Sequence, residues 1–150
     1  MFKTSKNEIK ECMSCTGESK KVIGVGATMM DDSITEFSSV GPPSYGNATI
    51  KPDVSAPGDL VCSASHLSYE GYVELRGTSM AAPHVAGVVA LLLSKKPNVS
   101  VTEVRKCIRD GAVPTKSNAQ SCGGLPDDKF PNFHAGYGRV SAPEALLLST

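Results

Sequence analysis

The sequence contains no tryptophan, and its four tyrosines and four phenylalanines make up only 5% of its 150 residues. An aromatic platform for stacking bases or sugars is therefore not expected. Fifteen basic and fifteen acidic residues cancel, and they form neither a basic stripe nor a block of one sign. Nucleic-acid-binding surfaces and charged tails depend on such clusters of charge. We therefore expect no nucleic-acid partner.

An N-terminal secretory signal is also missing, because the first eight residues contain no run of apolar side chains. Taken alone, this absence predicts a cytosolic chain. Cysteine usage points the other way, since disulfides belong to oxidising compartments. The sequons Asn47-Ala48-Thr49 and Asn98-Val99-Ser100 point in the same direction. We therefore expect the parent protein to be secreted or extracellular.

The cysteines do not form a recognisable metal site. Cys12 and Cys15 have the spacing of a zinc-ligand pair, but no second Cys-x-x-Cys pair follows, and Cys62, Cys107 and Cys122 are scattered. We interpret the cysteines as disulfide partners, and their odd number leaves one thiol free or without its partner. We expect neither a metal nor a cofactor.

An almost entirely apolar segment runs from Met80 to Leu93. A helix that is apolar on every side is typical of a protein core. The segment is shorter than the about 20 apolar residues of a membrane span, so we expect no membrane association. Two lysines and Pro97 follow, which suits the end of a helix. We predict a helix from about Ser79 to Ser94.

Weaker patterns predict the remaining elements. A short apolar run at residues 22–27 suits a buried strand, and residues 60–65 and 72–75 suit the strands of a hairpin. Ser100 and Glu103 fit a capping box that starts a second helix. Its predicted apolar face contains Val101, Val104, Cys107 and Ile108. Residues 141–144 predict another capping box and a last helix through Leu148. Alternation of strands and helices favours an α/β fold.

Ser79 lies at the start of the long apolar helix. Backbone N–H groups there lack intrahelical acceptors, and the helix dipole favours negative charge. The backbone N–H of Ser79 could therefore stabilise an oxyanion that forms beside its hydroxyl. For a short Gly-Thr-Ser string the alternative is structural, because Thr78 or Ser79 would serve as an ordinary N-cap.

The longer string GTSMAAPHVAG, residues 77–87, resembles the nucleophile segment of the subtilisin-like serine proteases. Other segments resemble the same family in the same order: VIGVGA at 22–27, FSSVGP at 37–42, KPDVSAPG at 51–58 and GYGRVSA at 136–142. The resemblance covers about residues 22–147 and leaves residues 1–21 poorly assigned. It implies that residues 1–150 are a partial peptidase domain: the C-terminal part of a three-layer α/β fold with a mostly parallel sheet, incomplete in this chain.

The resemblance implies a serine-type endopeptidase that acts on peptide or protein substrates. Ser79 would be the nucleophile, its backbone N–H would bind the oxyanion, and the peptide would be cleaved through an acyl-enzyme. Gly77 and Thr78 would contribute to substrate binding. The related carboxyl-type serine peptidases, which pair their serine with Glu and Asp, also begin this segment with Gly-Thr-Ser. The continuation from Met80 to Gly87 favours the subtilisin type.

The same resemblance implies an aspartate and a histidine upstream of the serine, with an oxyanion-hole asparagine between the histidine and the serine. No histidine precedes His66, whose surroundings match no catalytic segment. His84 follows Ser79 by about 500° of turn and about 7.5 Å of rise, so we predict a packed structural role. We predict that His134 lies on the surface. Asn7 lacks the preceding apolar strand that its role would require, and no lysine is placed for a Ser-Lys mechanism.

We therefore predict that the chain alone is inactive as a peptidase. One hypothesis is that it is the serine-bearing part of a subtilisin-like endopeptidase and that its partner is a complementary N-terminal half. The alternative is a non-catalytic module that binds a protease, an inhibitor or such a half. An incomplete sheet would leave one face of the apolar helix open and expose several of Val85, Val88, Val89, Leu91 and Leu92.

Overall fold

The computed structural model describes residues 19–43 and 49–149. The predictions for Asn7, Cys12, Cys15 and the sequon at Asn47 concern positions outside these ranges. Within them the chain forms six strands and three helices. In chain order these are β1 Val25–Thr28, β2 Val54–Pro57, β3 Val61–Ala64, β4 Tyr72–Leu75, α1 Thr78–Lys95, α2 Val101–Asp110, β5 Ser121–Cys122, β6 Leu125–Pro126 and α3 Ala142–Leu148.

The centre of the fold is a parallel pair of strands, β1 and β2, with Val25 opposite Val54. Both strands are largely buried, which explains their continuous runs of small and apolar residues. The second edge of β2 is covered by residues 138–140, because the Ser55 N–H donates to Gly138 O at 2.8 Å and the Val140 N–H to Ser55 O at 2.8 Å. The predicted α/β class, with a partial parallel sheet, is confirmed, and the first strand begins at Val25 rather than at residue 22.

Helix α1 packs against this pair through one face only. The buried residues are spaced by four, three and four positions, as one helix face requires: Ala81, Val85, Val88 and Leu92. The opposite face is exposed and carries small or apolar side chains, namely Ala82, Ala86, Ala90 and Leu93. We call it the open face of α1.

Of the five residues of α1 that the sequence marked as candidates for exposure, three are buried. Val85, Val88 and Leu92 are buried because they belong to the core cluster that α1 forms with β1, β2, α2 and α3. Val89 is half-buried, and Leu91 is exposed as predicted. Because this helix is apolar all round, its sequence cannot indicate which face the sheet covers.

Helix α1 contains 18 residues, which is longer than the apolar run indicated. By length and composition alone, a helix of this kind could cross a membrane. Core helices of soluble proteins meet the same criterion, and α1 packs on the β1–β2 pair.

Helix α2 begins with the predicted capping box. The Ser100 hydroxyl accepts from the Glu103 N–H at 3.2 Å, and the Ser100 N–H donates to the Glu103 carboxylate at 3.0 Å. Its predicted face is buried except for Val101, which is 70% exposed because it lies in the first position of the helix, outside the packed turns. The second predicted capping box is wrong: within the described residues the Ser141 side chain caps nothing, and Pro143 occupies the first turn of α3.

One fully buried carboxylate connects these elements. Asp53, at the start of β2, accepts from the Gly24 N–H at 2.7 Å and from Lys51 Nζ at 2.5 Å. From α2, Arg109 Nε donates to it at 3.0 Å, and Arg105 Nε lies 4.0 Å away. We call this group the Asp53 cluster. It links the parallel strands to α2 by charge as well as by apolar packing.

Two of the described cysteines are free, Cys62 on the surface and Cys107 in the core. Cys122 is disulfide-bonded. The interpretation of the cysteines as disulfide partners with one odd thiol therefore holds for Cys122, but it is wrong for the number of free thiols, since two described cysteines are free.

Candidate active site

The start of α1 is positioned by the end of β2. The Gly77 N–H donates to Gly58 O at 2.8 Å, which joins the residue before the helix to the residue after the strand. A Cβ at position 58 would lie 2.8 Å from Gly77 O and 2.7 Å from the Ala27 Cβ. The close contact therefore needs glycine at position 58. As a result, a buried parallel strand determines where the helix begins.

Gly77 is the N-cap of α1, with φ 147° and ψ 160°. This region of backbone space is essentially restricted to glycine. Gly77 O accepts from the Met80 N–H at 3.0 Å, and no side chain caps the helix. The alternative in which Thr78 or Ser79 serves as the N-cap is therefore wrong, and both hydroxyls are left for other contacts.

Ser79 is exposed at the first turn of the helix. Within the described residues, neither its backbone N–H nor its hydroxyl has a hydrogen-bond partner. A free N–H beside a free hydroxyl, at the positive end of an 18-residue helix, can stabilise negative charge that develops next to that hydroxyl.

A shallow recess of about 360 Å³ opens beside Ser79. It lies between β3 and the first turns of α1, and β3 is held by antiparallel pairing to β4, as the hairpin prediction required. The lining residues are Val61, Cys62, Ser63, Ser79, Met80, Pro83 and His84. The exposed free thiol of Cys62 beside the serine was not anticipated from the sequence, since β3 and α1 are joined only by the fold.

Within the described residues, no histidine forms a hydrogen bond with the Ser79 hydroxyl. His84 Nδ1 lies 2.9 Å from Met80 O, so its proton is directed to the helix backbone. This residue is exposed, and the prediction that it is packed is wrong because α1 is covered on its other face. His66 is exposed in the β3–β4 connection.

His134 is 4% exposed, so the prediction of a surface histidine is also wrong. The side-chain oxygen of Asn132 accepts from the backbone N–H groups of His134 and Ala135, at 2.9 and 2.8 Å. These hydrogen bonds fold residues 132–135 into a tight turn and draw the imidazole inside. The nearby Asp127 carboxyl is partly buried, which raises its pKa, but hydrogen bonds from Ser117 and the Asn118 N–H outweigh this and lower it overall.

The comparison with known families decides the assignment. Residues 5–138 match the model of the subtilase family of peptidases. The chain belongs to the subtilase family. Subtilases are serine-type peptidases, and the match begins within the N-terminal residues that the motifs had left poorly assigned.

Individual relatives agree with this assignment. Serine protease AprX of Bacillus subtilis is 32% identical over 91% of this chain and 32% of its own length. The halolysin-like extracellular serine protease Nep of Natrialba magadii is 36% identical over 83% of this chain and 19% of its own length. The CspB protease of Clostridium perfringens superposes with a TM-score of 0.68 at 28% identity, over 85% of this chain and 26% of the other.

The chain thus spans less than a third of the length of each of these relatives. Several relatives are secreted or extracellular proteases, in agreement with the expected compartment at that coarse level. These similarities establish the fold and the family, and the roles of Ser79, Gly77 and Thr78 stay predictions.

Proposed function

We propose that this chain contributes the nucleophile of a subtilisin-like serine endopeptidase and that Ser79 is that nucleophile. One observation carries the proposal: Ser79 is exposed at the start of α1, and within the described residues its hydroxyl and N–H are both without partners. Family membership supplies the reaction class, because subtilases are serine-type peptidases.

In the proposed reaction the Ser79 hydroxyl attacks the carbonyl carbon of a peptide bond. Its proton passes to a base, and the carbonyl oxygen becomes an oxyanion that accepts from the Ser79 N–H. The protonated base gives this proton to the nitrogen as the C–N bond breaks and the amine leaves, and water hydrolyses the resulting acyl-enzyme. Gly77 and Thr78, which precede Ser79 at the start of α1, would contact the substrate backbone. The recess beside Ser79 would hold one side chain of the substrate.

The proposal includes the absence of a base from this chain, and it is supported by the positions of the described histidines, none of which hydrogen-bonds to the Ser79 hydroxyl. The imidazole of His84 faces the backbone carbonyl of Met80 in α1. His66 is exposed between β3 and β4, and His134 is buried near the C-terminal end. Removal of the base, measured on a subtilisin, costs about a million-fold in turnover. We therefore propose that the isolated chain has no useful peptidase activity.

A complementary N-terminal part of a subtilase domain would be the natural partner. The open face of α1 continues from Ser79 through Ala82, Ala86 and Ala90 to Leu93, and small side chains of this kind allow close packing of another element. A partner seated there would cover apolar surface and reach the serine from the same side. The alternative function is a non-catalytic module that uses this face to bind a protease or an inhibitor.

The test is active-site labelling of the full chain with a fluorophosphonate probe, with and without an N-terminal part of a related subtilase. We expect no stoichiometric labelling of the chain alone and labelling at Ser79 when the complement is added. Ser79→Ala is the matched control, because a similar small residue leaves the helix start intact while removing the hydroxyl. Stoichiometric labelling of the chain alone would overturn the inactivity proposal.

The two candidate functions separate in the same experiment. Association with the N-terminal part and no labelling would favour the binding module. Absence of association, measured by analytical ultracentrifugation, would contradict the proposed use of the open face. A bulky polar substitution there, Ala86→Gln, should weaken association while leaving the buried face of α1 unchanged.

A further inference from the structure

A modification site lies at the far end of α1. The sequon Asn98-Val99-Ser100 occupies the connection between α1 and α2. Asn98 is exposed in a turn that is closed by the Val99 N–H donating to Lys96 O at 3.0 Å. The side chain at position 98 can therefore carry a bulky group without displacing the core.

The hydroxyl of this sequon has a structural role in the folded chain. Ser100 Oγ accepts from the Glu103 N–H and donates to the Glu103 carboxylate at 2.8 Å. A glycosyl transferase that recognises the sequon needs this hydroxyl together with the asparagine amide. Because the capping box occupies the hydroxyl in the folded chain, recognition is favoured before α2 forms, which is the order expected when modification accompanies synthesis.

We propose that Asn98 carries an N-linked glycan, added before the chain folds in a secretory compartment. The disulfide at Cys122 indicates an oxidising environment. Several relatives are extracellular or secreted proteases. These observations concern compartment, whereas the exposed turn shows that the folded chain can accommodate a glycan at Asn98, so the two support the proposal independently.

The reaction uses a polyprenyl-diphosphate-linked oligosaccharide as the glycosyl donor. The Asn98 Nδ2 forms a bond to the anomeric carbon of the sugar, and the bond from that carbon to the diphosphate oxygen breaks. The diphosphate leaves with the electron pair, and the amide loses one proton. Since α1 has 18 residues at about 1.5 Å of rise each, the glycan would lie on the order of 27 Å from Ser79 and leave the recess accessible.

The experiment is peptide mapping by mass spectrometry of the full chain, before and after treatment with peptide N-glycosidase, which converts a glycosylated asparagine to aspartate. It is carried out on the protein purified from its natural source and on a chain secreted from eukaryotic cells. We expect Asn98 to be converted to aspartate in both samples. An unmodified Asn98 in either sample would overturn the proposal.

Three variants of the secreted chain separate the glycan from the helix cap. Asn98→Gln should lose the glycan and keep α2 intact, whereas Ser100→Thr should keep both. Asn47→Gln removes the other sequon, so that a glycan still detected in this variant is assigned to Asn98. If a variant is retained inside the cell, the retained chain is mapped in the same way, because the modification precedes folding.

Discussion

Replacement of Asp53 by asparagine should destabilise the chain far more than its single-atom change suggests. Asp53 is fully buried, and the Lys51 ammonium beside it is almost as inaccessible. Arg109 from α2 contacts the same carboxylate. Gly24 N–H and Lys51 Nζ donate to one carboxylate oxygen, and Arg109 donates to the other. Asp53→Asn can keep the first oxygen, but it deletes the charge and turns an NH2 group towards Arg109.

The size of the effect follows from the burial of the remaining cation. Breaking a buried pair by removing one partner costs about 3–5 kcal/mol, because it leaves an uncompensated buried charge. A folded domain has only about 5–15 kcal/mol of stability in total. The variant should therefore lose a large fraction of the stability of the chain, with α2 detached from the parallel strands at the Asp53 cluster.

Urea denaturation followed by circular dichroism measures this loss. The matched control is Asp110→Asn, which makes the same chemical change in an exposed pair with Lys106. Surface pairs contribute about 0–1 kcal/mol, so the control should unfold close to the original midpoint. The comparison requires the same denaturant slope in both variants, since a changed slope would report a changed denatured or native state.

Equal midpoints for the two variants would refute the reasoning. That result would mean that water reaches Lys51 or that the side chain leaves the cluster at little cost. In either case the buried carboxylate would not be what joins α2 to the strands, and the apolar contacts of Val104 and Ile108 would carry that junction alone.

Three other predictions test individual elements. Leu92→Ala on the covered face of α1 should cost about 2–5 kcal/mol of unfolding free energy, while Leu91→Ala on its exposed side should cost far less, as measured in urea. Gly77→Ala should lower the stability by about 1–3 kcal/mol because of its positive φ, whereas Gly87→Ala, which meets open space, should raise it by about 0.5–1 kcal/mol in thermal unfolding. Hydrogen bonds from the Ser100 N–H, the Ser100 hydroxyl and Lys96 together lower the pKa of Glu103 from 4.5 to about 2. Its contribution is complete above about pH 4.5 and is lost as the pH falls towards 2, so a stability profile over this range should flatten in Glu103→Gln.

The elements that were predicted correctly from the sequence are those determined by residues close to one another in the chain. The hairpin strands β3 and β4, and the capping box at Ser100 and Glu103, appear where they were predicted. Each depends on residues close in the chain, such as alternation in a strand or a hydroxyl three positions before a carboxylate. Helix α1 differs from its prediction by one residue at each end, since Gly77 rather than a hydroxyl begins it.

The features that sequence reasoning missed depend on distant partners. Arg109 contacts Asp53, which lies 56 positions earlier in the chain, and the sequence around neither residue indicates this ion pair. His134 was expected on the surface, but the amide of Asn132 folds the chain over it. The covered face of α1 is likewise decided by β1 and β2, because the helix itself is apolar on all sides.

In the candidate active site, too, the residues that position Ser79 lie in this chain, whereas the proposed base comes from another polypeptide. The position of Ser79 is determined by the Gly58 contact, the Gly77 backbone and the first turn of α1, all of which this chain supplies. In the proposed function the base comes from another polypeptide, and the open face of α1, which begins beside Ser79, is where that element would approach. A serine hydroxyl without a partner among the described residues, beside an uncovered apolar face, agrees with the proposal that this chain is one part of a larger catalytic domain. Labelling that requires a second polypeptide is therefore the decisive expectation for this molecule.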